Sequence, residues 1–236
     1  MRHLVVWAFL LLELCSAQAG TVTFANQAGL KFSFQNMSDT GANVPPSNIQ
    51  DPTLYTSPYD AIQFKPSTFV AVESQMGTLE TNSLSSTINF TALSTAGLAM
   101  EKLLIDIEGT YYEFGIPGQT SVLKTTLSLD PIKFTIGGNT KIWSPSMNVT
   151  RNTTDKTWAG HLEVTKSDLQ SLFNSPSLEV TQLGVESLAT VSATAQWGNA
   201  NSYLTFLTYS LQPVPEPSTG ALLALATVFW LRKRRL

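Results

Sequence analysis

A two-residue alternation of apolar and polar side chains, recurring through the whole middle of the chain, limits its possible folds more than any other feature. Val22 and Phe24, Phe32 and Phe34, Ile88 and Phe90, Ile105 and Ile107, Leu127 and Leu129, Ile132, Phe134 and Ile136, Leu162 and Val164, and the run Val191, Ala193, Ala195 and Trp197 all sit between polar neighbours. Successive side chains of a strand point to opposite faces, so each run predicts a strand with one buried face. Turn-forming residues separate the runs at Ala28-Gly29, Gly77, Gly115-Ile116-Pro117-Gly118, Gly137-Gly138-Asn139 and Gly198-Asn199-Ala200-Asn201. Many short strands and few helices predict an all-β chain, an antiparallel β-sandwich or jelly-roll-like domain.

Three local features refine that expectation. Two short helices are predicted, one over Thr95 to Leu104 and one over Ser167 to Phe173, the second with Ser167 as N-cap and Asp168 in its first turn. Leu127 and Leu129 are odd positions whereas Ile132, Phe134 and Ile136 are even. This change of phase predicts a bulge or a strand break at Asp130-Pro131. The stretch from Gln35 to Asp60, rich in Asn, Ser and Pro, reads as the longest irregular segment and so as a candidate binding loop.

Both ends of the chain carry targeting patterns. Met1-Arg2-His3 is a short positive segment, Leu4 to Leu12 is apolar, and Ala17-Gln18-Ala19 supplies small residues for cleavage before Gly20. Together they predict a signal peptide over residues 1–19, removed by signal peptidase. A domain over 20–212 follows, and then a distinct C-terminal segment over 213–236. In that segment Pro213, Pro215 and Pro217 favour an extended backbone around Glu216. An apolar run from Gly220 to Leu231 comes next, then the basic cluster Arg232, Lys233, Arg234 and Arg235. Such a run predicts a short single hydrophobic helix in the inner membrane, with the basic cluster cytoplasmic and the body on the far side.

Val214-Pro215-Glu216-Pro217, a hydrophobic run and a terminal Arg/Lys cluster, in that order, resemble the PEP-CTERM sorting signal of Gram-negative bacteria. The resemblance implies processing by an exosortase near Pro215-Glu216-Pro217, and then delivery to the cell surface or extracellular matrix, often in exopolysaccharide-producing, biofilm-forming organisms. Segments of this type are sometimes labelled the C-terminal domain of ice-binding proteins, a label that describes the tail and not the body.

Removing both end segments leaves nine basic and sixteen acidic residues, a net charge near −7 if Glu216 is retained. No basic footprint for nucleic acid remains. Cys15 departs with the signal peptide, so the body has no disulfide. His161 is then the single histidine, which removes Cys/His nucleophilic sites and His-rich zinc sites. Its place in the alternation points it to solvent, near Glu163 or Thr165. Asp106 and Glu108 share a strand face roughly 7 Å apart at about 3.3 Å per residue, a spacing open to an inverting glycosidase and equally to an ordinary polar face. Asp39, Asp51 and Asp60 are possible calcium ligands. Tyr55 and Tyr59, or Tyr111 and Tyr112, offer rings that a sugar could stack on, with Tyr55 and Tyr59 the candidate glycan contacts. An ice-binding face would need a ladder of Thr-x-Thr pairs, and Thr21-Val22-Thr23 stands alone. These readings predict a body that is not an enzyme and has no cofactor, in a structural, adhesive or exopolysaccharide-binding role.

Overall fold

The computed structural model describes residues 20–41, 51–66, 69–95, 97–144 and 147–214. Ala17, Ala19, Pro215, Glu216, Pro217, the run 220–231 and Arg232 to Arg235 therefore lie outside the described residues. In chain order the first strands are β1 (Gly20–Thr23), β2 (Gln27–Ala28), β3 (Phe32–Gly41), β4 (Thr53–Tyr55), β5 (Asp60–Phe64), β6 (Val70–Gln75) and β7 (Glu80–Ser94). Then come β8 (Met100–Gly115), β9 (Val122–Ile136), β10 (Asn139–Trp143), β11 (Val149–Asn152), β12 (Thr157–Thr165), helix α1 (Lys166–Leu172), β13 (Gln182–Gln196) and β14 (Gly198–Pro213).

The strands form two seven-stranded antiparallel sheets packed as a β-sandwich. The first runs β1-β3-β7-β13-β9-β10, with β2 on β3. The second runs β11-β12-β8-β14-β5-β4, with β6 also on β14. β14 pairs with β8 along its length, while its other edge is shared by β6 near Gly198 and β5 near Leu211. The alternating residues meet between the sheets, where Phe34, Ile105, Ile107, Leu129, Phe134, Val191 and Leu207 are fully buried. Rings cluster at one end of this core: Phe90 and Phe64 pack edge-on against Tyr209 with centroids 4.7 and 6.1 Å away. Edge-to-face contact sets the positive rim of one ring against the negative face of another.

The phase change at Asp130-Pro131 is a bulge inside a continuous strand. Leu129 pairs with Ala189 and Ile132 with Ser187, so β9 carries one residue more than its partner and both halves still face the core. A second bulge lies where the sequence reading placed a loop. β3 shifts register between Gln35 and Ser38, with Asn36 at φ 53°, and its buried set changes from Phe32 and Phe34 to Met37 and Asp39. Residues 35–41 are thus strand, and so are Thr53–Tyr55, which corrects the irregular stretch predicted over 35–60.

The helix predictions divide. Residues from Met100 onward are strand β8 rather than the predicted helix, because Leu103, Ile105 and Ile107 alternate into the core. The second helix forms as α1, but its N-cap is Thr165 and not Ser167: Asp168 N donates to the Thr165 hydroxyl, and the Asp168 carboxylate accepts from Thr165 N in return. Gly198-Asn199-Ala200-Asn201, read as a turn, is the start of β14. The chain reverses at Trp197 instead, with φ 57°. Among the described residues no helix is long and apolar enough to cross a membrane.

Candidate functional site

Outward side chains of the β14 sheet line up in one row across four strands. Register places Gln63 of β5, Thr208 of β14, Asp106 of β8 and His161 of β12 side by side. Tyr55 donates to Gln63 Oε1 at 3.2 Å, Gln63 Nε2 donates to Thr208 Oγ1 at 3.0 Å, and His161 Nδ1 lies 2.6 Å from Asp106 Oδ1. At the β4–β5 end of the row, Tyr55 and Tyr59 border an open hollow of about 270 Å³ with Gln63, Thr208 and Ser210. Tyr55 is exposed. Two rings flanking amide and hydroxyl groups in a shallow, uncharged groove suit a ligand with apolar faces and hydroxyl edges.

The other sequence candidates take different places. Tyr111 is buried, with the Arg151 guanidinium 4.0 Å above its ring and its hydroxyl donating to Asn152 O, so it cannot stack on a ligand. Tyr112 is exposed on the outer face, beside Asn201 of β14. Phe114 and Tyr203, also exposed there, were missed by the sequence reading. The signal for Phe114 was available, because even positions of β8 oppose the buried phase of Ile105 and Ile107. His161 faces solvent, and its partner is Asp106 across the ladder. Asp106 and Glu108 line an open hollow with His161, Asn148 and Thr150. Asp106 is engaged by the imidazole and both groups open directly to water, whereas carboxylates doing acid–base work on a sugar need to converge on an enclosed ring.

The three aspartates considered for calcium are separated by the fold. Asp60 is buried and accepts the backbone N–H groups of Leu30, Lys31 and Phe32 at 2.9, 2.5 and 2.7 Å, which ties β5 to the turn between β2 and β3. Asp39 lies in the core, where it accepts from the Ser86 hydroxyl. Burial pushes its carboxyl up to about 7. Asp51 is exposed. Among the described residues no group of three or more His, Cys, Asp or Glu could hold a metal ion.

The outer face of the other sheet is a field of small hydroxyls. Thr21 and Thr40, Thr81 and Thr194, Ser85 and Thr190, and Thr135 and Thr140 are cross-strand partners whose oxygens lie 2.8 to 3.0 Å apart. These pairs come from neighbouring strands, which a search for Thr-x-Thr within one strand does not detect. Within each pair one hydroxyl bonds the other.

Comparison with known proteins bears mainly on the tail. No curated protein matches the chain. Among solved structures it is similar to "TmCBM61 in complex with beta-1,4-galactotriose", at 11% identity over 75% of this chain and 89% of that one, with a TM-score of 0.28. A likeness at that score has no weight for fold or ligand, and the sandwich assignment rests on the two sheets themselves. Residues 213–235 match the PEP-CTERM protein-sorting motif, so the chain carries that motif over those residues.

Proposed function

We propose that this chain is an exported protein, freed of residues 1–19 by signal peptidase and held briefly in the inner membrane by its apolar run 220–231. An exosortase then processes it near Pro215-Glu216-Pro217 and delivers the body, residues 20–212, to the cell surface or extracellular matrix. The body works there without catalysis, in a structural or adhesive role. The match of residues 213–235 to the sorting motif carries this reading. Replacing Glu216 with Ala tests it: full-length chain should accumulate in the membrane fraction. An unchanged mature mass and location would remove the exosortase from the account.

A second reading gives the body a ligand, carbohydrate of the exopolysaccharide matrix, bound in the Tyr55/Tyr59 groove. The hydrogen-bonded series Tyr55–Gln63–Thr208 supports it, since it holds polar groups at fixed positions between two rings. Affinity electrophoresis of the protein through gels containing neutral or acidic polysaccharides tests it. Retardation that weakens in Tyr55→Ala and Tyr59→Ala is expected, and unretarded migration in every gel would exclude it.

A further inference from the structure

We infer that the pole of the sandwich carrying the β2–β3 turn is a membrane-docking surface, with Leu30 as its contact to the lipid headgroup layer. The inference rests on the proposed anchoring of the apolar run 220–231.

The first observation is where the folded body stops. Central strand β14 runs to Pro213, which pairs with Met100, and Val214 N still donates to Ala99 O at 2.9 Å. Six residue steps separate Val214 from Gly220. In any conformation they reach at most about 22 Å, since a chain extends no more than roughly 3.6 Å per residue. The headgroup region beside the hydrocarbon core takes up several ångströms of that distance. An anchored chain therefore keeps this pole against the bilayer. The opposite pole is about 50 Å away along the 16 residues of β14, at about 3.3 Å each.

The second observation is what this pole presents. Leu30 shares an open hollow with Tyr59, Gln212 and Pro213, at the point where the chain leaves the fold. Leu30 is 71% exposed. The backbone beneath it is fully engaged: the N–H groups of Leu30 and Lys31 go to Asp60, Leu30 O accepts from the Thr95 hydroxyl, and Lys31 O accepts from Thr95 N. Gly29 is required here, because a Cβ would lie 2.5 Å from Asp60 Cγ. A buried carboxylate thus fixes an apolar side chain outward beside the tether, and a fixed side chain loses little entropy when it docks. Lys102 and Lys166 are paired with Glu163 and Glu179, which leaves the exposed Leu30 side chain as the contact offered to the lipid.

The test uses residues 20–236, the chain as signal peptidase would leave it and free of cysteine, reconstituted in phosphatidylethanolamine/phosphatidylglycerol vesicles. Single nitroxides are attached at Leu30→Cys, Met76→Cys at the opposite pole, and Ala224→Cys in the apolar run. Leu30 and Met76 are both exposed, so neither label disturbs packing. Collision with oxygen and with a water-soluble nickel chelate reports depth. The expected result is Ala224→Cys shielded from nickel, Leu30→Cys several-fold less accessible to nickel than Met76→Cys, and the same ratio at high salt. If Ala224→Cys is shielded but Leu30→Cys and Met76→Cys are equally accessible, the docking surface is wrong and the anchor stands. If Ala224→Cys is itself open to nickel, the anchoring reading fails and the docking surface falls with it.

Discussion

Tyr209 of β14 and Ser187 of β13 hydrogen-bond through their hydroxyls across the middle of the sandwich, and both side chains are wholly buried. They belong to different sheets, so this contact fixes how one sheet sits over the other.

Tyr209→Phe should therefore destabilise the fold by about 1–3 kcal/mol, because it leaves the Ser187 hydroxyl buried without its partner. Ser187→Ala should cost a similar amount. The double variant should cost less than the sum of the two, because no polar group is then stranded. Urea unfolding of the four proteins gives the coupling, and strict additivity would show that the two hydroxyls do not interact.

Asp39 makes stability depend on pH in an unusual direction. Burial disfavours the carboxylate and raises its folded pKa to about 7, from an ordinary value of 3.8. Between those values the folded chain binds more protons than the unfolded chain, so stability falls as pH rises. The contribution is fully present below about pH 4 and is lost as pH rises through 7. The loss is on the order of 4 kcal/mol. Asp39→Asn should flatten the profile of urea midpoint against pH between 4.5 and 8.5. A wild-type midpoint that rises over that range would contradict the assignment.

The sequence carried the sandwich because period-two alternation states directly which face of each strand is buried. Ile105, Ile107, Phe134 and Val191 all fall where it put them. It misplaced β3 beyond Gln35 because the bulge at Asn36 reverses the phase, and Asp39 then occupies a core position that no hydrophobicity pattern marks. The groove was only half legible. Tyr55 and Tyr59 can be read as loop rings, but Gln63 and Thr208 join them through a register between residues 145 positions apart. The hydroxyl face of the other sheet is similarly a product of strand order.

Asp60→Ala should loosen the β2–β3 turn and lower stability by roughly 2–4 kcal/mol, since three backbone N–H groups lose their acceptor. Gly29→Ala should cost a comparable amount, because its Cβ would also lie 2.6 Å from Phe32 O. Amide hydrogen exchange at Leu30, Lys31 and Phe32 should accelerate in both variants. Unchanged protection would mean that Asp60 is not what holds the turn.

If carbohydrate occupies the Tyr55/Tyr59 groove, Tyr55→Ala and Tyr59→Ala should each weaken binding on the order of tenfold, about 1.4 kcal/mol. Gln63→Ala should act in the same direction through loss of the Tyr55 and Thr208 contacts. Replacing Tyr112, on the same face but opposite Asn201, should leave groove binding unchanged. Titration calorimetry with oligosaccharides retained in the gel screen measures all four. Equal losses from Tyr112→Ala and Tyr55→Ala would move the site away from the groove.

The central claim is that the tail directs export and is then processed, and the mature ends of the chain test it most directly. Intact mass and terminal sequencing of the protein from the membrane and medium fractions of its native cells should give a chain starting at Gly20 and ending near Pro215-Glu216-Pro217, in the medium or on the surface. Any mass beyond the peptide would identify what the new end was joined to. A chain still ending at Leu236 and confined to the inner membrane would contradict the account.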